Sequence, residues 1–203
     1  MKSKQYTLQH IAEIRAGCPF RERLEADAAG TIRVIQLKDL SDRNIVDFSN
    51  AVRIYMPAPS ESYFLHKGDL VFRSRGYITT AALMTEDADD VILAAPFLRI
   101  RIHDRTLVLP DYLNWYISTK PAQRYFTARQ AGTSVNMVAA GELAALPVPV
   151  PPLSVQQQIV DVAGLAEKEY RLETELMQKR KKYTEALLLE QAGGGERHKE
   201  HNQ

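Results

Sequence analysis

Cysteine is almost missing from this chain: Cys18 is the only one among 203 residues. A single thiol excludes an internal disulfide and suits the cytosol. No run of about 18 apolar residues occurs, so nothing reads as a membrane-spanning helix. The opening Met1-Lys-Ser-Lys-Gln-Tyr6 leads into no apolar signal core, and secretion is not expected. Net charge is only +1. Nucleic-acid-binding domains are often strongly basic, so overall charge does not announce one. Motifs for catalysis are missing too. There is no Gly-x-Gly-x-x-Gly loop, no Gly-x-x-x-x-Gly-Lys-Ser/Thr loop and no Asn/Asp-Pro-Pro-Tyr/Phe methyltransferase box. Asp111 follows Pro110 without a later Glu-x-Lys, so it reads as a helix cap rather than a nuclease carboxylate. His198 and His201 lie in a polar tail with no third ligand, and no metal is expected. Cys18 has no histidine near it in sequence and reads as a buried small residue or an exposed thiol. The chain is expected to be non-catalytic and free of cofactors.

What is present is an ordinary soluble composition, 45% apolar and 25% charged, at a length that suits one domain with an appendage. The cations are unevenly made. Residues 1–153 hold 13 arginines and 5 lysines, against 3 and 5 in the remainder. The guanidinium fork matches phosphates and guanine edges. Such a domain either gathers arginines on one face or carries a compositional bias. Acids cluster at Asp87, Asp89 and Asp90, away from the arginine loops.

Short apolar runs separated by turn residues predict strands near Thr31–Leu37, Val52–Tyr55, Leu70–Phe72, Tyr77–Met84 and Val91–Ile102. Leu8–Ile14 is a short strand or a turn of helix. Helical spacing marks Pro110–Gln130, with Pro121 dividing it in two, and a helical turn is expected within Val138–Leu146. Strands mixed with a few helices indicate an α+β domain.

Four prolines stand between Pro147 and Pro152. Proline lacks an N–H and pushes its predecessor extended, so this segment crosses as a strap. Ser154 and Gln157 then have capping-box spacing, and a helical pattern runs to about Gln191. One stripe holds Val155, Val162, Leu165, Leu172, Leu176 and Tyr183, close to a seven-residue repeat, with charges at Glu169 and Lys179. Ile159, Ala163, Ala166, Tyr170 and Met177 widen it. A helix of about 55 Å is too long to hide this face on its own domain without protruding. Pairing with another such helix is expected; packing on its own domain is the alternative. Val162, Leu165, Leu172, Leu176 and Tyr183 are the expected pairing residues. The chain therefore divides into a domain over 1–146, a strap over 147–153, a helix over 154–191 and a disordered polar tail over 192–203.

Two segments suit DNA contact. Arg73-Ser-Arg-Gly-Tyr77 follows a buried strand directly, and makes Arg73, Ser74, Arg75 and Tyr77 candidates. The plain alternative is a solvated strand end with salt bridges. Gly132-Thr-Ser-Val-Asn136 offers Thr133, Ser134 and Asn136 for phosphates and base edges, or simply turn chemistry. Lys120, Arg124 and Arg129 form a phosphate edge or a solvent face.

The junction Val148-Pro-Val-Pro-Pro-Leu-Ser-Val-Gln-Gln-Gln-Ile-Val160 resembles that of specificity subunits of type I DNA restriction-modification systems. Leu8–Gly17, Val34–Leu40, Leu65–Gly76 and Gly132–Ser134 resemble further pieces of that family, in the same order. The resemblance implies a mixed α/β target-recognition domain followed by a long helix. It implies that two helices pair antiparallel and hold two domains on the halves of a bipartite site in double-stranded DNA. It implies methyltransferase (modification) subunits, and a restriction subunit where one exists, as partners that carry the chemistry. With one domain and one helix, this chain resembles a half-subunit, expected to homodimerise or to join a different half. The competing expectation is an adaptor or decoy that engages modification subunits through the helix without reading DNA.

Overall fold

The structure is a computed structural model that describes residues 3–21, 23–41, 44–76, 79–130 and 137–193. Its contacts divide the chain into two units, Met1–Val160 and Asp161–Gln203.

Among the described residues, the first unit holds nine short strands. In chain order they are β1 (Lys4–Thr7), β2 (Ala12–Ala16), β3 (Ile32–Ile35), β4 (Val52–Ile54), β5 (Leu70–Phe72), β6 (Ala81–Leu83), β7 (Val91–Leu93), β8 (Leu98–Ile102) and β9 (Pro147–Val150). The helices are α1 (Leu8–Ile11), α2 (Pro110–Ile117), α3 (Lys120–Gln130), α4 (Ala140–Ala144) and α5 (Leu153–Gln191). The strands form an antiparallel four-stranded sheet in the order β2-β8-β5-β6, a three-stranded sheet β4-β3-β7 and the ribbon β1-β9. In the three-stranded sheet β3 is parallel to β7 and antiparallel to β4. The class is α+β with a long C-terminal helix, as the pattern of elements predicts.

The four-stranded sheet is covered on both faces, which explains the unbroken apolar run of β5. Side chains alternate along a strand. Leu70 and Phe72 pack with Leu98, Ile100, Leu113 and Phe126 under α2 and α3. Val71 turns the other way, to Ile35, Leu65, Met84 and Leu93. Strand β8 alternates likewise: Leu98, Ile100 and Ile102 join the first core, and Arg99 and Arg101 lie opposite. Their cations are met there. Arg99 donates to Ser62 O at 2.8 Å and to Glu13 at 2.6 Å. Arg101 grips the buried Asp69.

Two glycines of the sequence pieces are needed sterically. A Cβ on Gly17 would lie 2.5 Å from the Ala94 carbonyl carbon, where the end of β2 runs against the chain after β7. Gly68 has φ +88° and sits against the Arg105 guanidinium, a conformation that disfavours a side chain.

Several local expectations are corrected. The run Val91–Ile102 is two strands in different sheets, because the chain turns at Ala94–Phe97. Pro121 does not interrupt a helix; it stands in the first turn of α3, where its missing N–H is harmless. Asp111 is not a cap: Leu109 is the N-cap of α2, and Asp111 lies in its acidic first turn. Helix α5 begins at Leu153, and the Pro152 carbonyl accepts from Val155 and Gln156, so Ser154 lies inside the helix rather than at its cap.

The proline strap forms β9 and pairs along β1, with Lys4 opposite Val150 and Thr7 opposite Pro147. The carbonyls of Pro149 and Pro147 accept the hydroxyls of Tyr112 at 2.6 Å and Tyr116 at 2.8 Å. Burial pushes the Tyr112 hydroxyl up to about 12, so it stays a donor. Ile159 and Val160 pack on the first core.

The second unit contains the rest of α5. Val162, Leu165, Leu172, Leu176 and Tyr183 are all at least half exposed, as are Tyr170 and Met177 beside them. Among the described residues no helix is apolar enough to cross a membrane. The predicted disorder of the tail falls outside the described residues beyond Gly193.

Candidate nucleic-acid interface

Geometry sorts the arginines of the domain. Arg33 donates to Asp90 at 2.9 Å and lies over the Phe48 ring. Arg53 also reaches Asp90, at 3.5 Å. Arg15 pairs with Glu13 at 2.7 Å. Arg105 donates to the Lys67 carbonyl. Arg129 stacks 3.4 Å over Tyr125 and pairs with Glu142 at 2.7 Å. With Arg99 and Arg101, these side chains are engaged within the domain. By contrast, Arg21, Arg23, Arg75 and Arg124 are exposed and make no hydrogen bond or ion pair with a described residue.

Three of these four free cations gather in one place. Arg23 and Arg75 line a cleft of about 400 Å³ with Phe20, Leu24, Gln36, Leu37 and the turn Ala94–Phe97. Arg21 lines a neighbouring cleft of about 450 Å³, which shares Phe20, Arg23 and Leu24 and includes the exposed Tyr55. Phe20, Arg23 and Leu24 are thus a common wall. Apolar side chains lie beside guanidinium groups and one half-buried carboxamide. A guanidinium can bind a phosphate, or guanine through O6 and N7; a carboxamide can bind adenine; aromatic rings accept bases by stacking.

The rim is held from below. Arg75 stands two residues beyond Arg73, where β5 runs out. The buried Ser74 hydroxyl donates to the Pro96 carbonyl, and Val138 N donates to Ser74 O at 2.8 Å. Arg75 itself forms an antiparallel bridge with Met137. Across the cleft, Gln36 N donates to the buried Asp39 carboxylate at 2.8 Å, which fixes the turn presenting Leu37. Burial raises the Asp39 carboxyl above its ordinary value.

The sequence-predicted residues divide accordingly. Arg75 is exposed at the cleft. Arg73 points elsewhere, donating to Leu40 O and Thr80 Oγ1, both at 3.2 Å. Ser74 is buried. Tyr77, Thr133, Ser134 and Asn136 lie outside the described residues. The chain that follows Asn136 is nevertheless laid against the arginine loop through Met137 and Val138. Lys120 and Arg124 line a separate shallow groove of about 430 Å³ with Gln123 and Thr127 on α3. Arg21, Arg23, Gln36, Leu37 and Tyr55 were not singled out from sequence. The one signal for any of them is the pair of arginines, Arg21 and Arg23, that follows Phe20 in Phe20-Arg-Glu-Arg23. Among the described residues, no three His, Cys, Asp or Glu side chains could hold a metal ion.

The family model described as type I restriction modification DNA specificity domain matches residues 2–180. The chain belongs to this family. Solved structures share the fold. A chain from a type I R-M system, solved for its complex assembly and conformational transition, aligns with TM-score 0.62 and 17% identity, covering 93% of this chain and 44% of that one. The HsdS subunit from Thermoanaerobacter tengcongensis aligns with TM-score 0.59 and 16% identity, over 82% of this chain and 37% of the subunit. The S subunit of a type I restriction-modification system from M. genitalium aligns with TM-score 0.55 and 13% identity, over 88% and 42%. This specificity-domain chain spans less than half the length of each. No curated protein matches it.

Proposed function

We propose that this chain is a DNA-reading half of a type I specificity subunit. Its domain reads one half of a bipartite site, and α5 pairs antiparallel with a second such helix, in a homodimer or with a different half-subunit. The reading face is the cleft of Arg75, Arg23, Gln36 and Leu37, continued toward Arg21 and Tyr55. Thr133, Ser134, Asn136 and Tyr77 are further DNA contacts in this reading, on the chemistry of their hydroxyl, amide and aromatic side chains alone. The domains are residues 1–146 for recognition, 147–153 for the strap and 154–191 for pairing and spacing. The chain carries no catalysis and needs no cofactor. Methyltransferase subunits supply adenine methylation, and a restriction subunit supplies cleavage where the system has one.

The observation that carries this reading is the sorting of the arginines. Of the twelve described arginines in residues 1–153, eight are engaged within the domain, and three of the other four line one pair of joined clefts. Local clustering of charge replaces the overall basicity that the chain lacks. A symmetric pair would present the same face twice and read palindromic half-sites.

The test is a map of adenine methylation in the host genome with and without the gene. Loss of one bipartite motif on deletion supports the reading and gives the target. An unchanged map, together with no DNA binding at low salt in the presence of the modification subunit, would favour the adaptor or decoy instead. The near-neutral net charge of +1 is the observation on that side. For a reader neutralising about four phosphates, log affinity falls with log salt at a slope of roughly −3 to −4.

A further inference from the structure

Gln156 is the one fully buried residue of the 39-residue helix α5. Helices bury apolar stripes; a carboxamide with no exposed surface must be hydrogen-bonded to be tolerated. This one is bonded three times. Its Oε1 accepts Leu109 N at 2.9 Å, and its Nε2 donates to Leu107 O at 2.9 Å and Pro151 O at 2.8 Å. All three partners are backbone groups, from two segments far apart in sequence. Leu107–Leu109 is the chain just ahead of α2, and Leu109 is its N-cap. Pro151 belongs to the strap. Ile159 and Val160, three and four residues on, lie on the same side of the helix and pack on the domain core.

We infer that Gln156 is a positioning residue that locks the first turns of α5 to the recognition domain and thereby sets how strictly a paired molecule discriminates the spacing between its two half-sites. This rests on the bipartite reading above. In such a pair, the path from one reading cleft to the other runs through this joint twice. Play at the joint lets one protein accept more than one separation of half-sites. The three bonds remove that play, because a lost carboxamide would leave two acceptors and one donor of the backbone without their partner. An apolar side chain of the same size would fill the volume but not the bonds.

The test uses the full chain with its modification subunit and a set of duplexes that differ only in the spacing between half-sites. Affinity for the preferred spacing is divided by affinity for spacings one base pair longer and shorter. This ratio is measured within one preparation, so a smaller folded fraction cancels. In Gln156→Met the ratio is expected to fall about tenfold, the effect of roughly one or two lost hydrogen bonds. Ser154→Ala, an exposed change on the same turn, should keep the parent ratio. A variant that loses thermal stability or overall affinity but keeps the parent ratio would show Gln156 to be structural only, and would overturn the inference. A parent that binds the duplexes with no preference among spacings would overturn it too, with DNA reading intact. A parent that binds none of them fails one step earlier, in the proposed function.

Discussion

Arg101 and Asp69 are joined by two hydrogen bonds, Nε to Oδ1 at 2.8 Å and Nη2 to Oδ2 at 2.7 Å, and the carboxylate has no exposed surface. The same carboxylate accepts His66 N at 2.8 Å, so one side chain closes the turn at Gly68 and ties it to β8. The pair holds the guanidinium of Arg101 above its ordinary value. Asp69→Ala would leave the guanidinium and an amide without their acceptor. The expected loss is about 3 kcal/mol of unfolding free energy, measured by denaturant titration. A loss too small to resolve would mean that the turn stands without the pair.

Arg73 and Arg75 should separate in their effects. Arg73→Ala removes donors to Leu40 O and Thr80 and is expected to lower stability by about 1–2 kcal/mol. Arg75→Ala and Arg23→Ala should leave the unfolding midpoint in place and weaken DNA binding, each reducing the salt slope by about one. Thermal unfolding and binding isotherms on the same proteins check this. Equal affinity for parent and both variants would remove the cleft as the reading face.

The helix stripe predicts assembly. Leu172→Glu or Leu176→Glu should turn a dimer into a monomer, because a pairing seam would have to bury an unpaired charge twice. Mass by light scattering reads the outcome directly. A dimer that survives both substitutions places the interface elsewhere.

Asp90 predicts an acid limb. The hydrogen bond from Arg33 leads in holding its carboxyl below the ordinary value, and the charges of Arg33 and Arg53 add to that. The ionised form is favoured in the folded chain. Its stabilisation is therefore full above the unfolded carboxyl value of about 3.9 and is lost as pH falls through the folded value. Asp90→Asn should be less stable than the parent at neutral pH, and the gap should begin to narrow as pH falls below about 4. Asp39 has the opposite sign: burial raises its carboxyl, so its own contribution improves on acidification. Denaturation midpoints at pH 7, 5 and 3 separate the two. A parent–variant gap that does not narrow at all between pH 5 and pH 3 would contradict the assignment.

The α+β class and the long helix were legible because apolar periodicity and proline punctuation are local signals. So was the division of Pro110–Gln130 into two helices, although Pro121 marks the start of the second rather than a break. Side-chain allegiance was not legible. Arg73 and Arg75 are two apart at one strand end, yet one is held by Leu40 and Thr80 and the other is exposed. Their difference is set by Thr80 across the strand turn and by Leu40, 33 positions away. In β8 the alternation Leu-Arg-Ile-Arg-Ile reads as a half-exposed strand, but its arginines are met by Glu13, Asp69 and two carbonyls. The wall of Phe20, Arg23 and Leu24 was not legible either, because a loop has no period to reveal it. Gln156 stood in plain view within a triple glutamine, and only burial distinguishes it from Gln157 and Gln158.

The ribbon of β1 and β9 has a further consequence. The carbonyls that face away from β1 belong to Pro147 and Pro149, and Tyr116 and Tyr112 occupy them. Neither proline has an N–H to offer. This edge therefore presents no free backbone ladder to a stray strand, which is how natural sheets resist polymerising edge to edge. Whatever the exposed stripe of α5 meets, the chain is closed to fibre growth along this edge.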